Sequence, residues 1–533
     1  MINRVIIHGY RIFRAFEFCP NPGTNIVVGD NDSGKSTLLE AIALALSGRV
    51  NGRWAQDALD PYWFNAHHVG EFFAALKAGS APSPPEVMIE VYFSPDAVGL
   101  HDLRGIHNSR RDDVPGISMR ITPAKEYQQE ITEYFANPDC PDILPTEWFE
   151  VDWRAFSDER LTRRPKGLGI AHIDSRTIRS SAGVDYHTRE ILSSFIEPGE
   201  RAAIAVAHRA ARHAISTDTL APVNERIAEH GKALHDQPIG LHMDQSAGAS
   251  WETSVVPQVA DVPFAMAGQG QQAAIKVVLA MDRASTTTSF ALIEEPENHL
   301  SHTSLTKLVA RIETLAGDRQ VFLTTHSSFV LNRLGLDKLV LISGGRCASF
   351  NDLPADTVSY FKRLSGYDSM RLVLARKAVL VEGPSDEMIF ERAFRDRHNG
   401  RRPMELGVDV ISMAGVSLKR GLQLCAALGR QAAAIRDNDG QDPAHWTTPL
   451  QPWLQDGVRQ VFIGDNAAGK TLEPQFVAVN DETALRSLLN IPDDEGTTEW
   501  MGKHKTEWAL TFNESSFEAT YPPYLIDAVT FVS

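Results

Sequence analysis

Cysteine is scarce: Cys19, Cys140, Cys347 and Cys425 stand far apart in a chain of 533 residues. No CxxC pair occurs, so neither a zinc ribbon nor a disulfide framework is expected. No apolar run approaches about 20 residues, so no membrane span is expected. Basic residues are in the minority, 52 against 68 acidic, for a formal charge of −16. That balance argues against a chain coated in positive charge to hold nucleic acid. It leaves room for a local basic groove and for carboxylates gathered around metal ions. Internal repeats and low-complexity tracts are also absent. The opening "MINRVIIHGYRIF" reads as a strand and turn rather than a secretory leader, and a cytoplasmic location is the expectation. What remains is ordinary globular composition, 43% hydrophobic and 23% charged, in a length that suits two to four domains.

Two segments fit the phosphate-loop pattern G-x-x-x-x-G-K-[ST]: "GDNDSGKST" from Gly29 and "GDNAAGKT" from Gly464. The pattern acquires meaning only between a strand and a helix. The first follows the apolar "TNIVV" and precedes "STLLEAIALALSG", whose apolar residues recur at helical spacing with Gly48 as a C-cap. Backbone N–H groups from Gly29, Asn31, Gly34 and Thr37 would cradle phosphates, Lys35 would reach the β/γ oxygens, and Ser36 would hold Mg²⁺. The second precedes "LEPQFVAV", with Pro474 early and no sustained helical period, and is read as a decoy without a helix behind it.

Other segments complete an ATPase around Lys35. "SFALIEEPENHL" is an apolar strand ending in adjacent carboxylates. Glu294 would hold the Mg²⁺ shell and Glu295 would polarise the attacking water. The strand in "RQVFLTTHSS" delivers His326 toward a γ-phosphate, and in "AGQGQQAAIKVVLAM" Gly268 and Gly270 open a helix that could meet a phosphate. Together these resemble the ABC-type ATPase heads of structural-maintenance and DNA-repair proteins: Walker A, Walker B, switch histidine, and a departed signature at Gly268–Gly270. The resemblance implies a homodimer or higher oligomer, since one subunit's signature completes another's ATP site.

From Lys377 a new αβ unit begins. Its strand "AVLV" ends in Glu382 and Gly383, Asp386 opens a helix, and the strand in "QAAAIRDNDG" ends in Asp437 and Asp439. Alternating strands and helices imply a mostly parallel sheet, whose ligand sites lie at the C-terminal strand ends. Hard oxygen donors placed there suit Mg²⁺ or Mn²⁺. The E-G-x-x-D and D-x-D pair resembles a Toprim domain, the metal-dependent module of topoisomerases, primases and some nucleases. A Walker ATPase followed by Toprim resembles the OLD (overcoming lysogenization defect) family of ATP-dependent endonucleases, with Gabija-type nuclease subunits among its relatives. The resemblance adds Glu473 in "TLEPQF" as a further acid ligand and Lys505 in "KTEWAL" as the late active-site lysine.

The fold expected is therefore α/β. An ABC-type head is split into 1–99 and 261–370, a mainly helical dimerisation insertion occupies 100–260, and Toprim covers 371–533. The function expected is a nucleotide-regulated, Mg²⁺- or Mn²⁺-dependent DNA endonuclease. It would use ATP, act as a homo-oligomer and serve anti-phage defence, in some relatives beside a separate helicase. No tyrosine nucleophile is evident beside the acids, which favours hydrolysis over strand passage. The competing reading is an ATP-driven DNA clamp or sensor whose Toprim acids bind metal without cutting.

Overall fold

The computed structural model describes residues 1–50, 52–137, 140–165, 167–174, 195–231, 239–246, 251, 255, 258–287, 290–317, 319–349, 353–361, 371–413 and 418–533. They form two compact units, Met1–Thr24 with Ser36–Thr324, and Asn25–Lys35 with Thr325–Ser533.

The first unit contains an antiparallel sheet. Strand Ile2–Tyr10 lies between Phe13–Phe18 and Val87–Phe93, Val114–Pro123 follows, and Phe149–Ala155 pairs with it. Val5 and Ile7 are buried on alternate residues, the period that one covered face requires, while Ile2 is out of that step because the register shifts between Ile2 and Arg4. A second set, Ile170–Asp174, Phe290–Glu294 and Gln320–Thr324, runs parallel. Its two latter strands are buried throughout, as parallel strands covered on both faces are. Gln320 ties the two sets together: its amide accepts from Ile2 N at 2.7 Å and donates to Ile2 O at 2.9 Å. The helix Lys35–Ser47 ends as expected at Gly48, whose φ of 66° suits a residue without Cβ. A side chain at Gly48 would also strike the indole of Trp153, whose Nε1 donates to Ala45 O at 2.8 Å.

The stretch from 100 was expected to open a mainly helical insertion. Its first part instead supplies the strands Val114–Pro123, Phe149–Ala155 and Ile170–Asp174, each paired into a sheet. Helices Pro198–Ala214 and Ala221–Gly231 come later. The strand pattern was hard to read because polar residues such as Glu150, Asp152 and Arg154 share the Phe149–Ala155 segment with its apolar ones.

In the second unit, residues of strand Thr24–Val28 pair parallel with Leu339–Ser343, and Arg346–Ser349 closes that edge antiparallel. The C-terminal part is an all-parallel sheet in the order Val408–Ser412, Lys377–Val381, Gln431–Arg436, Arg459–Ile463. Helix Pro384–Arg397 packs on helices Lys505–Glu514 and Pro523–Val532 around a core containing Phe390, Phe394, Trp508 and Phe512. Arg392 locks that packing. Buried to 8% exposure, it donates to the carbonyls of Phe512 at 2.9 Å, Ser515 at 2.7 Å and Phe517 at 2.9 Å, and pairs with Asp396 at 2.9 Å. Those bonds satisfy carbonyls at the end of one helix with a cation from another, which suits the negative end of the helix dipole. Among the described residues no helix is long and apolar enough to cross a membrane.

The segment after Thr471 corrects an expectation. A helix does follow it, Leu472–Ala478, with Pro474 as its third residue. Proline is tolerated in a first turn, where N–H groups have no intrahelical acceptor.

Candidate functional site

The C-terminal strand ends of the parallel sheet gather acids from separate elements. Glu382 follows strand Lys377–Val381, and Asp437 follows Gln431–Arg436. Asp386 sits in the first turn of Pro384–Arg397, where its carboxylate accepts from Gly383 N at 3.0 Å. Glu473, only 3% exposed, belongs to Leu472–Ala478 and accepts from Thr471 Oγ1 at 2.6 Å. Lys505 opens its helix with Nζ 3.5 Å from Glu473 Oε1. Arg392 therefore braces the two helices that carry Asp386 and Lys505.

These carboxylates feel one another. Burial pushes Asp437 up to about 8, with the charges of Asp386, Glu382 and Glu473 adding to it and Lys505 opposing. Asp386 rises to about 6, again through burial first, with Glu473 adding and Gly383 N opposing. Glu382 is also raised, by burial and then by Asp386 and Asp439, against the relief given by Arg436. Asp439 turns outward with φ 51° and pairs with Arg436 at 3.1 Å.

A divalent cation fits this donor set by chemistry. All the donors are hard oxygens, and their mutual repulsion is what a cation would relieve. Among the described residues no three acids or histidines already stand in a ligating group. Four elements thus supply the donors without a preformed cage.

The raised acids make stability depend on pH. Folded Asp437 keeps its proton to about 8, whereas the unfolded side chain releases it near 3.8. Between those values the folded state binds more protons, so its stability is full below the lower value and falls as pH rises through the upper one. In EDTA the melting temperature should drop from pH 6 to 8.5, with a slope of at most about 1.4 kcal/mol per pH unit for one proton. Asp437→Asn should flatten that slope. A wild-type profile that rises over the window would contradict the assignment.

The loop around the acids contains residues that the sequence pattern did not single out. Asn438, fully buried, donates to Gly464 O at 3.1 Å and Gly469 O at 2.7 Å and accepts from Gly440 N at 2.7 Å. Asp439 N donates to Lys470 O at 3.1 Å. The second phosphate-loop match is therefore the brace of the Asp437–Asp439 loop. Its glycine concavity is filled, since a Cβ on Gly464 would meet the amide of Gln475. A tyrosine also stands among the acids. Tyr524 is 7% exposed, and burial together with Asp437, Asp386, Glu473 and Glu382 holds its phenol well above the ordinary range. Neutral and packed in the core, it is no nucleophile toward an outside substrate.

The first phosphate loop, Gly29 to Lys35, lies in the same unit. Lys35 curls back on it, Nζ donating to Gly29 O at 3.0 Å and Asp30 O at 2.8 Å. Gly34 has φ 100° and Asp32 φ 61°. A Cβ on Gly29 would strike Ile342 O and Ser33, so only glycine fits. Ser33 Oγ is buried with no hydrogen-bond partner, a donor that a phosphate oxygen would satisfy. Asp30 pairs with Arg376 at 3.0 Å, immediately before the strand that leads to Glu382. Asn31 and His326 are exposed, while Ser36 and Thr37 are half-buried at the start of helix Lys35–Ser47.

In the other unit, Glu294 ends its strand 4% exposed, with Oε1 3.2 Å from His172 Nε2 on the neighbouring parallel strand. His172 was missed because its strand lies in the stretch where no motif was legible. Glu295 holds φ 43°, costly for a non-glycine residue. It is kept there by its N–H donating to Thr324 O at 3.0 Å and by Asn298 Nδ2 donating to its carboxylate at 2.8 Å. Such over-determined strain fixes a carboxylate's direction. Gly270 lies in the first turn of helix Gln269–Thr287, preceded by Gly268, and any Cβ there would strike His299 O.

Comparison with known proteins matches three segments of the chain. An AAA domain model matches residues 4–61, a second AAA domain model matches 256–332, and the "Overcoming lysogenization defect protein-like, TOPRIM domain" model matches 373–439. The DNA replication and repair protein RecF of Stenotrophomonas maltophilia is 46% identical over 48 residues, 9% of this chain and 13% of its own. RecF of Chloroherpeton thalassium is 28% identical over 165 residues, 31% of this chain and 39% of its own. The chain thus spans well under half of those relatives. Among solved structures, an SMC head bound to the C-terminal winged-helix domain of ScpA aligns over 65% of this chain and 95% of its own, at 16% identity and a TM-score of 0.32. The C-terminal region of the Burkholderia pseudomallei OLD protein aligns over 30% of this chain and 97% of its own, at 15% identity and a TM-score of 0.26. The chain thus carries two AAA-type ATPase segments ahead of a segment that matches the overcoming-lysogenization-defect-protein-like Toprim model.

Proposed function

We propose that the chain is an ATP-regulated, divalent-metal-dependent DNA endonuclease. The observation that carries this reading is the convergence of Glu382, Asp386, Asp437 and Glu473 from four elements on one end of a parallel sheet, with Lys505 beside them. Bound there, a Mg²⁺ or Mn²⁺ ion would supply the positive charge that stabilises the attacking and leaving oxygens of a phosphodiester displacement. The protein's own residues do the rest. The four carboxylates hold the ligand set, Asp439 extends it at the exposed rim, and Lys505 offers a cation to the scissile phosphate. The buried, uncharged Tyr524 favours water as the nucleophile over a covalent tyrosyl intermediate.

At the ATPase, Gly29, Asn31, Gly34, Lys35, Ser36 and Thr37 would bind the phosphates and Mg²⁺. Glu294 would complete the metal shell, Glu295 would orient the attacking water, and His326 would sense the γ-phosphate. Gly268 and Gly270 would serve a second copy's nucleotide, which implies a homodimer or larger assembly. Residues 100–260 are proposed as the dimerisation region and anti-phage defence as the biological setting; a helicase partner fits the same setting.

Plasmid and linear DNA incubated with purified protein in Mg²⁺ or Mn²⁺, with and without ATP, tests the reading. Metal-dependent nicks or breaks are expected. DNA binding and ATP turnover without cleavage would favour the clamp-or-sensor alternative. Glu295→Gln should still bind ATP with near wild-type affinity yet turn it over on the order of a hundredfold more slowly, about 3 kcal/mol of barrier. Nucleotide affinity and phosphate release, measured separately, check this; wild-type turnover would remove Glu295 from the role.

A further inference from the structure

Arg436 ends the strand that delivers Asp437, and neither the acid pattern nor the ATPase motifs use it. Its guanidinium lies 3.3 Å from Glu382 Oε1 and 3.1 Å from Asp439 Oδ2. Its Nε also donates to Asp437 O at 3.1 Å. Its Cζ sits 3.5 Å from the ring centroid of Trp446. That indole is itself fixed, with Nε1 donating to Asn438 O at 3.0 Å. An exposed arginine would spend its rotamer entropy on no single partner. Here a side chain 19% exposed is held by two carboxylates, a carbonyl and an aromatic face. Only a planar fork can span two acids while stacking on a ring; a lysine ammonium cannot.

Glu382 and Asp439 come from different strand ends, and both belong to the donor set proposed above. The guanidinium takes up lone pairs on Glu382 Oε1 and Asp439 Oδ2 and places a positive charge where a cation would sit. We propose that Arg436 is a positioning residue that holds Glu382 and Asp439 together in place of the divalent cation and competes with it for them. The inference rests on the metal-site reading. It adds that the site is pre-balanced: the bridge keeps two repelling acids together at the strand ends, and the Trp446 face keeps the guanidinium beside the site after release.

The signs separate this role from a merely structural one. If Arg436 competes with the cation, removing it must tighten cation binding. If it only props the loop, removing it must loosen the donors and weaken binding. The experiment is Mn²⁺ binding to the full chain without nucleotide, followed by the electron paramagnetic resonance signal of free Mn²⁺. Wild type, Arg436→Gln, Arg436→Lys and Asp437→Ala are compared, each first shown to melt cooperatively. Arg436→Gln should bind about tenfold tighter than wild type. Unchanged or weaker binding overturns the exchange. If Arg436→Gln fails to fold, Arg436→Lys decides: it keeps the charge but cannot span both acids, and should bind about two- to threefold tighter; equality with wild type overturns the exchange. Wild-type binding that Asp437→Ala abolishes and Arg436→Gln leaves unmoved removes the exchange alone. No binding by wild type or by Asp437→Ala removes the metal reading, and the exchange with it.

Discussion

Asp437→Ala is expected to lower DNA cleavage on the order of a thousandfold or more, about 4 kcal/mol of barrier, while ATP turnover stays within a few-fold of wild type. Burial first, and then the charges of Asp386, Glu382 and Glu473, push Asp437 up to about 8. A group so placed exchanges a proton for a cation, and alanine can do neither. Water filling the space would restore an oxygen but no charge. The nucleotide residues Lys35, Glu294, Glu295 and His326 are untouched by the change. Some coupling is still expected, because Asp30 of the phosphate loop pairs with Arg376 one residue before the strand that ends at Glu382. A linkage of about 1–3 kcal/mol would change the ATPase rate without abolishing it. Nicking and phosphate release should be measured on one preparation, in Mg²⁺ and in Mn²⁺. Cleavage that persists in both metals would move the cutting site elsewhere and leave the Toprim acids a binding role. Loss of both activities, with cooperative melting intact, would mean that the ATPase depends on the Toprim loop far more than one ion pair allows.

Much of this organisation was legible because it depends on local pattern. "KAVLV" and "QAAAIR" are short apolar runs bounded by acids and glycine, and parallel strands buried on both faces are built that way. Their C-terminal ends then place Glu382 and Asp437 without further information. Gly48 was legible as a cap for the same reason: a helical period stops where a residue without Cβ appears. The illegible part was long-range. Nothing near Asn438 in the chain announces that its amide would hold Gly464 and Gly469, because those carbonyls lie 26 and 31 residues away. The His172–Glu294 contact spans 122 residues and depends on strand register. Tyr524 reaches the acids only because the last helix packs on the Toprim core. The strands at 114–123 and 149–155 were lost in a stretch without chemical motifs, where alternation interrupted by charge carries less information than a phosphate loop. Arg436 was visible as a residue but not as a bridge, since bridging needs Glu382 from another strand.

Lys35→Ala is expected to lower ATP hydrolysis on the order of a hundredfold or more, about 3 kcal/mol of barrier, whereas Lys470→Ala should stay within about twofold of wild type. Both lysines occupy the same place in the same sequence pattern, so the difference must come from what surrounds them. Behind Lys35 runs a helix of 13 residues, whose N-terminus suits an anionic phosphate. Ser33 Oγ stands there without a partner, and Lys35 Nζ donates to two carbonyls of its own loop, at 3.0 and 2.8 Å. A nucleotide phosphate could replace those carbonyls with a full charge-assisted contact. Behind Lys470 runs a helix of seven residues whose first turn carries Glu473 and Pro474, one a negative charge and the other without an N–H. The glycine concavity is filled by Gln475, and the carbonyls of Gly464 and Gly469 accept from Asn438. An anion would have to expel a buried amide and approach a buried carboxylate, so this loop repels what the first attracts. Helix presence, on which the sequence argument leaned, does not separate the two loops; the occupancy and charge of the cradle do. Phosphate release by both variants, with nucleotide binding measured alongside, checks the comparison. Equal loss in both, with folding preserved, would show that the Gly464–Thr471 loop opens to bind nucleotide in spite of the amides and acid that fill it.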